Sequence, residues 1–253
     1  MSSNPPPPPP PPPPPMSPPP GYVAYGGPGD VSGFQGIRGV SKAMTILLWI
    51  YLPLQVLVVI DQVRLNSKAN QFLDGEISES KFKDAVERSA SSVVGVLVIP
   101  IAVLTMVWMF RMAANLRKMG RPGQTWVPGW AIAGWFLPPC GVYAIPWLMF
   151  RELWKGSDSD LRPNDPTWKQ RSVAPIINIW WVVYGLIPLL GFFSAAGIAR
   201  QIRTGSTHTL AERLHDYGWI NIAFTVVGMV ATVVYIQLVQ QLSTRHMRTT
   251  HEP

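Results

Sequence analysis

Four stretches of this 253-residue chain run for eighteen residues or more without a charged side chain: Ala43 to Ile60, Ser89 to Phe110, Ser172 to Ala199 and Trp219 to Leu242. Charged residues stand directly at or near their ends, among them Lys42 and Asp61, Arg88 and Arg111, Arg171 and Arg200. Eighteen residues at ~1.5 Å rise make a helix of about 27 Å, just enough to cross a hydrocarbon core. In lipid each stretch can satisfy its backbone only as a helix. Pro53, Pro100 and Pro188 fall inside three of them, where each removes a backbone donor and predicts a kink.

A fifth apolar run, Pro122 to Phe150, differs in kind. Pro128, Pro138, Pro139 and Pro146 interrupt it, so no unbroken helix within it reaches spanning length. With its flanks it holds Trp126, Trp130, Trp135, Trp147, Trp154 and Trp168, six of the eleven tryptophans. Tryptophan favours the headgroup level over the bilayer centre. Both features predict a broken helix that dips in and returns, or lies along the interface. The expected fold is therefore an all-α polytopic bundle with four spanning helices and one proline-broken re-entrant or interfacial segment. Five spans are the alternative.

The remaining segments follow from this pattern. Residues 1–40 form a tail with eleven consecutive prolines, Pro5 to Pro15, followed by a glycine-rich stretch. It has no apolar face to bury, so disorder is expected, with polyproline II as the local form. It could serve as a spacer or as a ligand for a proline-recognising partner. Residues 41–110 then make a first transmembrane hairpin. Residues 111–174 hold a basic collar, the Trp/Pro segment and a polar loop. Residues 175–242 make a second hairpin, and 243–253 a short polar tail. Within the links, Ser80 to Arg88 places Phe82, Ala85 and Val86 at helical spacing, and Thr209 with Glu212 reads as a capping box.

Charge sets the orientation. If the fifth run does not cross and the amino terminus is cytoplasmic, thirteen basic residues lie inside and eight outside, in accord with the positive-inside tendency. If it crosses with the amino terminus inside, the balance has the wrong sign, while an inverted five-span form restores it. The net charge of +7 is spread over short links and forms no single stripe, which argues against nucleic acid and for anionic headgroups of the lipid bilayer as partner. With Cys140 as the only cysteine, no intramolecular disulfide can form. The amino terminus lacks the basic and apolar regions of a cleavable signal peptide, so the first span is expected to direct insertion. Oligomeric state is left open by these patterns.

Catalytic chemistry finds little support. The four histidines, His208, His215, His246 and His251, lack metalloprotease spacing and read as surface residues. Asp158, Asp160 and Asp165 could hold a cation, but Pro163 and Pro166 in the same stretch favour a solvated turn. No Asp, Glu, Lys, Arg or His falls within the four spans, against the pattern of a proton-coupled pump. Gln55, Asn178, Asn221 and Gln237 are expected to hydrogen-bond between helices, and Gly191 with Ala195 to allow close packing. No catalytic residue, cofactor or metal ligand is expected. Arg111 and Asn115, four apart with Lys118 on nearly the same face, begin a basic collar that anchors topology at the headgroups. A sharper expectation pairs Arg111 with Glu152, pinning the broken run beneath the bundle.

The stretches RMAANLRKMG, WVPGWAIAGWFLPP and IPWLMFRELWKGS together resemble an uncharacterised bacterial membrane family, domain of unknown function 4328. The matching positions are Arg111, Asn115 and Leu116, Pro128 with Gly129 and Trp130, Trp135 with Phe136 and Pro138, Pro146, and Glu152 with Trp154. Where that family usually shows an asparagine and a basic residue before the later proline, this chain has Gly141, Ala144 and Ile145. The resemblance implies a multi-pass protein of a bacterial, actinobacterial-type plasma membrane, and carries no activity with it. Its motif residues Arg111, Asn115, Trp130, Trp135, Pro138, Pro146, Glu152 and Trp154 are the candidate interface set. The expected function is non-enzymatic binding of a lipid, a small ligand or a partner helix at the membrane interface. A transporter or channel component, with the broken helix lining a path, is the alternative.

Overall fold

A computed structural model describes residues 33–89, 96–137, 140–187 and 206–252. The proline tail, Pro138, Pro139, Pro188 and the Gly191/Ala195 pair lie outside the described residues, as does the rest of the third expected span. Among the described residues the protein is all-helical, without strands. Three helices are long and apolar enough to cross a membrane: α1 (Arg38–Leu73), α3 (Val98–Lys118) and α7 (Thr207–Thr250). The shorter elements are α2 (Glu79–Glu87), the single turn α4 (Trp130–Ala133), α5 (Cys140–Gly156), a 3₁₀ turn at Pro166–Gln170, and α6 (Pro175–Trp180), which continues as a π turn over Trp181–Leu186.

Two helices overrun the apolar stretches that predicted them. At 36 and 44 residues, α1 and α7 are about 54 and 66 Å long. No proline or glycine follows Pro53 until Gly75, so α1 continues through polar residues to Leu73. The capping-box expectation is corrected in the same way. Ser206 caps α7 by accepting from the Thr209 amide at 3.3 Å, and the helix then runs unbroken into the last apolar stretch. The overhangs persist because they pack on each other and on α2. Phe82 of α2 is fully buried with Ala69 and Ala211, and its ring stacks on Phe72 at 5.2 Å. The expected amphipathic helix at Ser80 to Arg88 is thus present as α2.

The antiparallel α1/α7 interface follows a seven-residue register. Gln55 meets Thr232 and Gln62 meets Thr225, through hydroxyl-to-amide bonds of 3.2 and 3.1 Å. Beyond them Gly218 lies against Asn66, and His215 bonds Asn70 at 2.8 Å. A Cβ on Gly218 would stand 2.9 Å from the Asn66 amide, so a larger residue there would require the Asn66 side chain to shift. Such a repeat keeps two helices in contact along their length through a gentle left-handed twist.

Prolines act as their positions dictate. α1 passes through Pro53 and α5 through Pro146 without ending. At Pro100 the helix breaks locally: residue 96 is helical, Leu97 is a turn, and α3 begins at Val98, where the missing donor falls in a first turn and disrupts nothing further.

The Trp/Pro segment leaves and rejoins the same end of the bundle. α3 ends in a Schellman turn, with Gly120 and Arg121 amides donating to Arg117 and Leu116, and Gly120 at φ +66°. The Gly120 carbonyl then accepts from the Asn164 amide at 2.9 Å, which joins the two flanks of the segment. Arg121 is buried beside this contact and donates to the carbonyls of Gly156, Asp158 and Arg162 at 3.0, 3.2 and 2.9 Å. It therefore caps the end of α5.

Candidate functional site

Most of the motif residues gather at the collar end, where α3, α5 and the end of α7 meet. Asn115 is fully buried. Its Oδ1 accepts from the Gln35 amide at 2.8 Å, and its Nδ2 donates to the Gln35 carbonyl at 2.9 Å and to His246 Nε2 at 3.1 Å. Pairing with one residue's amide and carbonyl fixes which end of the side chain is nitrogen. His246 Nε2 must then accept, so its proton sits on Nδ1 and is directed at Ser157 Oγ, 2.7 Å away. Trp108 Nε1 donates to Ser243 Oγ at 3.0 Å one turn deeper. His246 is thus buried at 0% exposure, which corrects the expectation of a surface histidine.

The strap that carries Gln35 is held twice more. Arg111 donates to the Gly36 carbonyl at 2.7 Å, while Glu252 accepts from the Ile37 and Arg38 amides at 3.0 and 2.9 Å. Those amides open α1, where a carboxylate complements the unpaired donors and the helix dipole. Glu152, 9% exposed, instead accepts from the Thr125 and Trp126 amides at 2.6 and 3.1 Å, bracing the turn that leads into Trp130. The expected Arg111–Glu152 pair does not form. Backbone groups claim both side chains, and no ion pair joins them among the described residues.

The tryptophans of the Trp/Pro segment and its flanks divide into half-buried ones packed against the core and the fully buried Trp168. Trp126 and Trp130 meet edge to face at 5.6 Å, and Trp147 stacks on Trp181 at 4.5 Å under the Arg151 guanidinium. Arg245 covers Trp154 at 5.0 Å and donates to its carbonyl at 3.1 Å. Trp168 is wholly buried and donates to the Pro122 carbonyl, so headgroup preference does not govern it. The acidic trio also separates. Asp158 is buried between Arg245 at 3.0 Å and Arg171 at 3.6 Å, which overturns its reading as part of a solvated turn. Asp165 caps the 3₁₀ turn, and hydrogen bonds from the Thr167 hydroxyl and amide hold its carboxyl below the usual range. Among the described residues no group of three His, Cys, Asp or Glu side chains is placed to hold a metal.

Deeper in the bundle lies a cavity of about 590 Å³. Its wall includes Trp135 from the broken segment and Trp180 and Tyr184 from α6 and the π turn. Trp135 meets Tyr184 edge to face at 6.4 Å, and Trp180 stacks on Tyr184 at 4.7 Å. Trp180 and Tyr184, four residues apart, lie on one face of this helix where its π turn begins. Gln55, Thr105 and Thr232 supply polar atoms, while Ala102, Gly228 and Ala231 leave room by their small size. A second cavity of about 580 Å³ runs along the α1/α7 interface past Gln62, Asn221 and Thr225. Tyr51, Gln55, Phe224 and Gly228 line both. Of the described motif residues only Trp135 lines this site. Pro146 is buried in α5, and Pro138 lies outside the described residues.

The model of one protein family, described as a domain of unknown function (DUF4328), matches residues 73–244. The chain belongs to this family. The match starts at Leu73, the last residue of α1, so the DUF4328 region contains Asn115, Glu152, Trp135 and Thr232. Gln35 and His246, which bond Asn115, and Gln55, which lines the cavity, lie outside it. No curated protein and no solved structure matches the chain.

The cavity was missed in the sequence because its lining comes from separate helices. One signal was present: Gln55 and Gln62, and likewise Thr225 and Thr232, repeat at seven residues within apolar surroundings. His246 had a comparable signal, since the buried stripe of Val239, Leu242 and Ser243 continues to His246 and Thr250 past the charge-free run that ends at Leu242.

Proposed function

We propose that this membrane-embedded DUF4328 protein binds a lipid-soluble ligand within its helical bundle without transforming it. The cavity of about 590 Å³ carries this reading, being aromatic-walled, mostly apolar and furnished with a few polar atoms. Those are the general features of small-molecule sites, which span ~300–1,000 Å³. The binding element is then the bundle centre, with the interfacial segment contributing Trp135. In this reading the amino terminus is cytoplasmic, the Trp/Pro segment is re-entrant, and exposed Arg117 and Lys118 attract anionic headgroups of a plasma membrane.

The test is native mass spectrometry of the full chain released from detergent micelles, with dioleoylglycerol and dioleoylphosphatidylglycerol supplied. A one-to-one adduct with either lipid is expected, and cavity-filling Ala102→Phe should remove it. A wild-type chain that carries neither lipid would end the proposal. Because Trp135 stands in the wall, a second reading has the broken segment gate passage of the ligand, and lipid flux across proteoliposomes separates passage from retention.

A further inference from the structure

We propose that the ligand is an uncharged amphiphile whose hydroxyl or carbonyl head is held by the Gln55 amide, with its chain in the aromatic cavity. This deepens the ligand-binding reading and rests on it. Gln55 is 7% exposed and has one protein partner, Thr232, whose hydroxyl also donates to the Gly228 carbonyl at 2.9 Å. A glutamine amide offers two donors and two acceptor lone pairs, so in either orientation one end of this group is left without a protein partner. Its Nε2 stands 3.7 Å from the place a Cβ would occupy on Gly228, and both residues line the two cavities. The unpartnered amide therefore sits where the cavities join. A polar group left unpaired in an apolar interior carries a desolvation cost that a ligand oxygen would relieve.

The lining chemistry sets the class of head. Gln62, Asn221 and Thr225 continue the polar strip on one side of Gln55, and the aromatic wall lies on the other. No Asp, Glu, Lys or Arg lines either cavity among the described residues. A phosphate or carboxylate would lose its hydration here without gaining a counter-charge, whereas a hydroxyl, ester or quinone oxygen needs only the donors present. Diacylglycerols, polyprenols and quinones share this chemistry.

The experiment compares dioleoylglycerol with dioleoylphosphatidylglycerol as probes of the full chain in detergent, read as adduct fraction by native mass spectrometry. Dioleoylglycerol should be retained about tenfold better, and Gln55→Leu should reduce its retention about tenfold while leaving thermal stability intact. Gln62→Leu, one rung away, gives an independent variant if Gln55→Leu is not recovered folded, with a smaller loss expected. Equal retention of the two lipids, or retention indifferent to both glutamine variants, overturns the head assignment while leaving the cavity as the site. An adduct that survives both Gly228→Leu and Ala102→Phe overturns the cavity reading as well. Decanoyl-ubiquinone and a short polyprenol, offered in the same format, rank the neutral sources against one another.

Discussion

The Asn115 set at the collar end of the bundle and the two glutamines of its middle both use uncharged amides and hydroxyls, yet they leave them in opposite states. At the collar, Asn115, His246, Ser157 and the Gln35 backbone account for one another, and carboxylates cap nearby amides. In the middle, Gln55 and Gln62 each have a single threonine partner and a cavity alongside. A closed polar set specifies one arrangement of the elements that supply it. An open one holds capacity in reserve, which suits a site that takes up something from outside.

The largest expected effect is at the closed end. Asn115→Leu orphans the Gln35 amide and carbonyl and the His246 ring, and should cost about 3 kcal/mol, read by detergent unfolding of the full chain. Asp158→Leu strands Arg245 and Arg171, which are partly solvated, and about 2 kcal/mol is expected from the same measurement. Glu152→Gln keeps one acceptor for Thr125 and Trp126, so a loss of about 1 kcal/mol should appear, with faster hydrogen exchange at those two amides. Gln55→Leu should change stability by no more than about 0.6 kcal/mol, the typical worth of an interhelical hydrogen bond in a membrane, while weakening ligand retention. A loss as large as that of Asn115→Leu would erase the distinction between the two regions. Smallest of all is the coupling between Arg111→Ala and Glu152→Ala, which should add to within about 0.5 kcal/mol because the two side chains serve different backbone segments.

Much of the helical layout was legible because lipid leaves the backbone so few options. The onset of α1, the helix through Phe82 and the apolar body of α7 follow from uninterrupted runs and helical spacing. Helix ends were less legible, since Asp61 and His215 read as loop residues until their neighbours are known. Asp61 accepts from Ser89 at 2.7 Å and His215 bonds Asn70, so both stay helical. The sequence points to Asn115 through its spacing from Arg111, but its partners lie at Gln35 and His246, far away in the chain. Glu152 was assigned to Arg111 on charge alone, and the nearer backbone amides prevailed.

From the residues themselves came the membrane class, the helical content and the family resemblance, because apolar length, proline position and local motifs act within a turn or two of the chain. The convergence of Asn115 with His246, the return of the Trp/Pro segment to Gly120, and the unpartnered amide of Gln55 beside a cavity were decided only when helices packed. Each depends on which faces meet and on how much space small residues leave between them. Neither quantity is a property of any one segment.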